Sequence, residues 1–198
     1  MSLQKIQPRT AVLLLFLLVT AVFRIGISQV GGSWSNFTPV GALALFSGTY
    51  FQNRYQQYLF PILTLFFSDF LLMQTVYAKD GNGFLYSGWY WVYLAFAAMV
   101  ALGSLIKRVN IRSFVLAAIG AALLHWLITD LGVWLGGCTD ITTGKPFTRD
   151  MEGLIRCYVL ALPYLKYQLL GNLMYGTVLY GGFHLLQQRF SFLKTIHA

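Results

Sequence analysis

The stretch Ile111–Leu135, IRSFVLAAIGAALLHWLITDLGVWL, constrains the fold most. As a helix its 25 positions rise roughly 37 Å, against about 30 Å of bilayer hydrocarbon. It nevertheless holds His125 and Asp130 inside the apolar run. An ionisable group at membrane depth costs about 2.5 kcal/mol or more unless it faces protein or water, so it points to function. A second apolar stretch, Tyr58–Tyr77, repeats the pattern with Ser68-Asp69-Phe70 where the first has Thr129-Asp130-Leu131. The expectation is that Asp69 and Asp130 line one pocket.

Composition supports lipid as the solvent. Of 198 residues, 57% are hydrophobic and 10% charged, where a soluble domain carries about 25% charged. The apolar runs are continuous, not alternating, which argues against a β-barrel. The fold class is therefore all-α: a single polytopic membrane helix bundle over residues 1–198. Six spans are expected at about 10–27, 37–51, 58–77, 88–106, 111–135 and 164–186. A short interfacial helix, Leu154–Leu162, is expected before the last span, ended by Pro163. Lys5 and Arg9 before the first run resemble a signal peptide, but no A-x-A-like site follows, so an uncleaved span is expected.

The charge distribution sets orientation. Six spans put both termini on one side, with Lys5, Arg9, Arg54, Lys107, Arg108, Arg112, Arg189 and Lys194 and no Asp or Glu. The other side mixes Lys79, Lys145, Arg149, Arg156 and Lys166 with Asp80, Asp140, Asp150 and Glu152. The positive-inside rule then places both termini in the cytoplasm of a bacterial inner membrane. It also accounts for the net charge of +8 by topology and anionic lipid, not nucleic acid.

In that orientation Arg24, Asp69 and Asp130 each fall about two-thirds along an outward-running span, and Asn172 about two turns into the inward-running sixth. One cation and two anions at one depth could neutralise each other and leave a polar chamber. Asn36, His125 and Trp134 are added as candidate lining residues. His125 and Asp130 lie five residues, about 500°, apart on the helix. That argues against a joint metal site, and the three scattered histidines form no zinc motif. Trp34, Trp89, Trp91, Trp134 and several tyrosines fall near the outer boundary. They read as an interfacial belt or as stacking surface for a ring-bearing substrate. Cys138 and Cys157, both on the outer side, could form a disulfide or stay free thiols. No nucleophile–base pair, P-loop or GxGxxG occurs, so neither an enzyme nor a cofactor is expected, and ATP hydrolysis would need a partner. Small pairs such as Ala44 and Gly48 or Ala118 and Ala122 allow close helix approach.

With these residues in view, the chain resembles the six-helix substrate-binding (S) components of energy-coupling-factor vitamin transporters. More closely, NFTPVGALALFSGTYF (Asn36–Phe51), LFFSDF (Leu65–Phe70), LITDLGVWL (Leu127–Leu135) and GLIRCYVLALPY (Gly153–Tyr164) resemble an uncharacterised bacterial family of transport proteins. The resemblance implies a small nutrient, vitamin-type, captured near the outer face; cobalamin is one candidate. It also implies docking on a coupling subunit with cytoplasmic ATPases. The first span, TAVLLLFLLVTAVFR, lacks the Ala-x-x-x-Ala spacing of docking members, so a solitary carrier stays open. Two other readings are a non-transporting subunit or scaffold of a larger complex, and an intramembrane enzyme using the Asp pair.

Overall fold

The computed structural model describes residues 7–28, 37–76 and 84–194. These form helices α1 (Pro8–Ser28), α2 (Val40–Tyr50), α3 (Arg54–Thr75), α4 (Trp89–Ser104), α5 (Ile111–Leu135), α6 (Met151–Leu160) and α7 (Leu162–Arg189), then a 3-10 turn, Ser191–Leu193. Among the described residues the chain is all-helical apart from one β-bridge, Thr139 to Pro146. Three helices are long and apolar enough to cross a membrane: α1 over Pro8–Gly26, α3 and α5. The apolar α2 and α4 have 11 and 16 residues, so they rise about 16 and 24 Å. α7 is the longest at 28 residues but is punctuated by Lys166, Gln168, Asn172, Gln187 and Gln188.

Several boundaries shift by a few residues, α3 starting at Arg54 and α7 at Leu162, and two of the differences have a clear local reason. α6 starts at Met151 because the Asp150 side chain accepts the Gly153 N–H at 2.8 Å, an N-cap that periodicity does not reveal. Pro163 does not end α6. It sits in the first turn of α7, where its missing N–H is no loss.

α2 is the centre of the bundle. Val40 to Gly48 and Tyr50 are all buried, and α2 packs most closely on α4 and α7. Its crossing with α4 requires two glycines. A Cβ on Gly48 would stand 2.1 Å from the Val100 carbonyl oxygen, and one on Gly103 2.4 Å from that of Leu45. Since lipid is as apolar as the side chains, such close approach, not hydrophobic burial, holds membrane helices together. A larger residue at either site would cost about 1–3 kcal/mol or more.

α3 is tied to α2 through a proline. Pro61 lies inside α3 and has no N–H for the Gln57 carbonyl. The Ser47 hydroxyl donates to that carbonyl instead, at 2.9 Å. The Gln57 side chain in turn donates to the Gly48 and Phe51 carbonyls at 3.1 and 2.8 Å, closing the end of α2. Beside this end, Phe46 stacks on Phe16 at 5.5 Å and meets Phe183 edge-on at 5.6 Å.

The contacts fix direction. Arg24 of α1 meets Ser68 of α3, and Arg9 lies with Asn53 and Phe60, so α1 and α3 run parallel. Gly41 abuts Asn172 and Phe46 abuts Tyr180, so α2 and α7 run parallel. Trp91 packs on Gly132 and Leu102 on Gly120, so α4 opposes α5. The outward faces are apolar: Leu59, Leu63, Phe67 and Leu71 on α3, Leu116, Ile119, Leu123 and Leu127 on α5, and Leu170, Met174 and Val178 on α7 are all exposed. Their three- and four-residue spacing is one stripe per helix, the pattern of a bundle solvated by lipid.

Candidate functional site: a cavity at the C-terminal end of α5

Beyond α5 the chain folds into a tight loop, residues 136–150. The Trp134 indole N–H donates to the Thr148 carbonyl at 2.8 Å, and Arg149 donates to the Leu135 carbonyl at 2.8 Å while lying 5.6 Å over the Trp134 ring. Asp140 accepts from Thr142 and pairs with Arg156 of α6. Hydrogen bonds from Thr142, then the Arg156 charge, hold its carboxyl well below the usual carboxylate range. The loop is thereby strapped to both α5 and α6.

Under this strap lies a cavity of about 340 Å³. α5 contributes His125, Trp126, Thr129, Asp130 and Val133, and α4 contributes Val92. The loop adds Thr139, Ile141 and Phe147; α6, α7 and their junction add Cys157, Ala161, Tyr164 and Gln168. Asp130 is the sole charged residue among them. Among the described residues no donor is hydrogen-bonded to its carboxylate, and no cation pairs with it. The buried Trp126 indole N–H also has no partner. The Thr129 hydroxyl donates to the His125 carbonyl at 2.8 Å, and the Cys157 thiol to the Asp130 carbonyl at 3.5 Å. An apolar chamber with a few unspent polar groups is the usual form of a small-molecule site.

The structure distributes the expected residues unevenly. His125 and Asp130 do share the cavity despite their angular offset, because it wraps round α5 from Val92 on one flank to Gln168 on the other. Asp69 does not. It is 2% exposed and forms an ion pair with Arg24, which also donates to Ser68. The Tyr86 hydroxyl faces its other oxygen at 3.5 Å. Burial, then the Asp69 charge, pushes that hydroxyl above its ordinary value and keeps it a donor. Tyr86 leads into α4, whose Val92 lines the other chamber, so α4 stands between the two acids.

The shared depth of Asn172 and Asp130 is also corrected. Asn172 is wholly buried and donates to the Ala118 carbonyl at 3.1 Å. Ala118 precedes Asp130 by twelve residues, about 18 Å of helix. Gln168 bridges the two levels, lining the cavity and reaching Asn172 at 3.5 Å. Trp134 holds the loop and does not line the chamber. Asn36 lies outside the described residues. Cys138 and Cys157 are free thiols, one exposed in the loop and one buried facing the cavity, so the disulfide is not formed. No group of three or more metal-ligating residues occurs among the described residues.

Fold and site together define an all-helical protein with three helices long and apolar enough to cross a membrane and an acid-bearing cavity at one end. The chain belongs to a family described as a family of unknown function, DUF6580, which matches residues 4–194. No curated protein matches the chain. No solved structure matches it either.

Proposed function

We propose that this chain is a six-span bacterial inner-membrane protein, both termini cytoplasmic, that captures a small nutrient in the Asp130 cavity and passes it inward. The alternating directions of α1 to α5 and α7 support six crossings, with the short α2 shielded inside the bundle. The basic residues at the end opposite the cavity support the orientation. The transport reading accords with the resemblance to S components. The cavity size narrows the nutrient: about 340 Å³ lies near the low end of ligand sites, roughly 300–1,000 Å³. That volume favours a small molecule over a corrinoid such as cobalamin.

One observation carries the proposal: a carboxylate with no partner among the described residues opens into an aromatic chamber. A half-buried charge without a partner among the described residues is expensive, so the protein keeps it for a ligand that supplies the partner. The ligand is therefore a small cation or amine with an apolar or ring-bearing body. Removing one partner of such a pair typically loses about 2 kcal/mol or more, roughly thirtyfold in affinity. The test is mass spectrometry of small molecules that survive gentle purification. The wild type should retain a cationic or amine-bearing compound, and Asp130→Asn should release it while remaining folded. Retention of the same compound by both proteins would refute the role of Asp130.

A further inference from the structure

The opposite end of the bundle holds a second and larger cavity, of about 1100 Å³. It forms where the first turn of α1, the end of α2, the α4–α5 turn and the segment after α7 converge. Its charged lining is wholly basic: Arg9, Lys107 and Lys194, with His184 beside them. Neither lysine has an ion-pair partner among the described residues. Arg9 donates one guanidinium N–H to the Tyr50 carbonyl at 2.9 Å, and its buried Nε–H has no acceptor.

Among the described residues no acid lies at this end to answer these charges. Of its six Asp and Glu residues, Asp69 is paired with Arg24, Asp130 lies in the other cavity, and Asp140, Asp150 and Glu152 belong to the outer loop and α6. Asp80 falls between α3 and α4, outside the described residues. Converging, unanswered cations from three separate segments call for an external anion. Helix ends modulate this. Arg9 is the second residue of α1, whose positive end favours an anion. The C-terminal ends of α4 and α7 oppose one, and Lys107 and Lys194 lie just past those ends, where they offset it.

We infer that this cavity is a binding site for a phosphate-bearing anion, the chemistry shared by an anionic phospholipid headgroup and a soluble phosphate. The site is independent of the Asp130 cavity and stands whether or not that cavity takes a nutrient. A general attraction of basic residues to anionic lipid would be spread over this whole end. A built site concentrates it on the lining residues, and that difference is measurable.

The experiment compares three full-length proteins: wild type, Lys107→Gln/Lys194→Gln, and Arg112→Gln. Arg112 is exposed at the same end but does not line the cavity. Arg9 is left intact because its bond to Tyr50 serves the fold. Native mass spectrometry from nanodiscs counts phosphatidylglycerol retained relative to phosphatidylcholine. Thermal unfolding of delipidated protein compares inorganic phosphate with chloride at matched ionic strength. The wild type should retain phosphatidylglycerol preferentially, and the double variant should lose about thirtyfold of that preference, near tenfold or less per lysine. Arg112→Gln should change it little. Retention of phosphatidylglycerol without stabilisation by inorganic phosphate identifies the headgroup as the source; stabilisation by inorganic phosphate identifies a soluble anion. Equal losses in the double variant and Arg112→Gln, or neither a preference for phosphatidylglycerol over phosphatidylcholine nor stabilisation by phosphate over chloride, overturn the site.

Discussion

Asp69 and Asp130 sit in near-identical sequence, Ser-Asp-Phe and Thr-Asp-Leu, late in two long apolar helices, yet their surroundings are opposite. Asp69 is sealed between α1 and α3 with Arg24 against one oxygen and Tyr86 facing the other. Asp130 opens into a cavity and has neither a cation nor a hydrogen-bond donor among the described residues. The first carboxylate has its counter-charge built in and serves the fold. The second leaves its counter-charge to be supplied from elsewhere. The residue type at membrane depth is thus a weak guide, and the completeness of its partners is the stronger one.

The sharpest way to break that contrast is to neutralise each acid in turn. Asp69→Asn removes the carboxylate that Arg24 pairs with, and breaking a buried pair costs about 3–5 kcal/mol. A large drop in unfolding temperature in detergent, or loss of folded protein, is expected. Arg24→Gln/Asp69→Asn should recover much of it, since both members of the pair are then neutral. Asp130→Asn should not destabilise, because the asparagine removes an unpaired charge from the chamber. Equal destabilisation by the two single variants would erase the distinction between them.

A milder test addresses the strap over the cavity. Asp140 has a folded-state value below its unfolded one, near 3.9, because Thr142 and Arg156 favour the carboxylate. Its contribution is therefore fully present above the unfolded value and is lost as pH falls through the depressed folded value. Hydrogen exchange of the Phe147 N–H, which bonds the Cys138 carbonyl at 3.2 Å, should be flat in opening free energy from pH 8 to pH 5 and loosen only below about pH 4. Loosening near neutrality would assign the strap to some other group.

Much of this was legible in the chain. Hydropathy and turn residues placed the helices within a few positions, because the period of an apolar stripe is a local property. The acids stood out because charge in an apolar run is local too. What decides their roles is not local. Arg24 and Asp69 are 45 residues apart, and nothing in either segment names the other. Counting depth from the span ends misplaced Asn172, since α7 starts two residues earlier and its buried polar face continues the cavity downward through Gln168. That glutamine could have been found: Gln168 and Asn172 are one turn apart on one face of an apolar helix. Trp126 gave no such signal, for an indole beside a histidine reads as core until its N–H is seen to lack an acceptor.

The smallest expected effect is the most specific to the comparison. Cys157 faces the Asp130 cavity, and burial, followed by the Asp130 charge and Cys138, pushes its thiol up to about 11. At pH 7.5 that leaves roughly one thiolate in three thousand, and the thiolate is the reactive form. A maleimide should therefore label the exposed Cys138 first and Cys157 at least about a hundredfold more slowly. The Cys157 rate should climb close to tenfold per pH unit above neutrality. Asp130→Asn removes one of the charges that disfavour the thiolate, so its Cys157 should react several times faster at the same pH. The balanced Arg24→Gln/Asp69→Asn variant, altered on the far side of α4, should leave that rate where it was. If both variants accelerate Cys157 alike, the cause is general loosening of the bundle, and Asp130 no longer differs from Asp69 in the environment it commands.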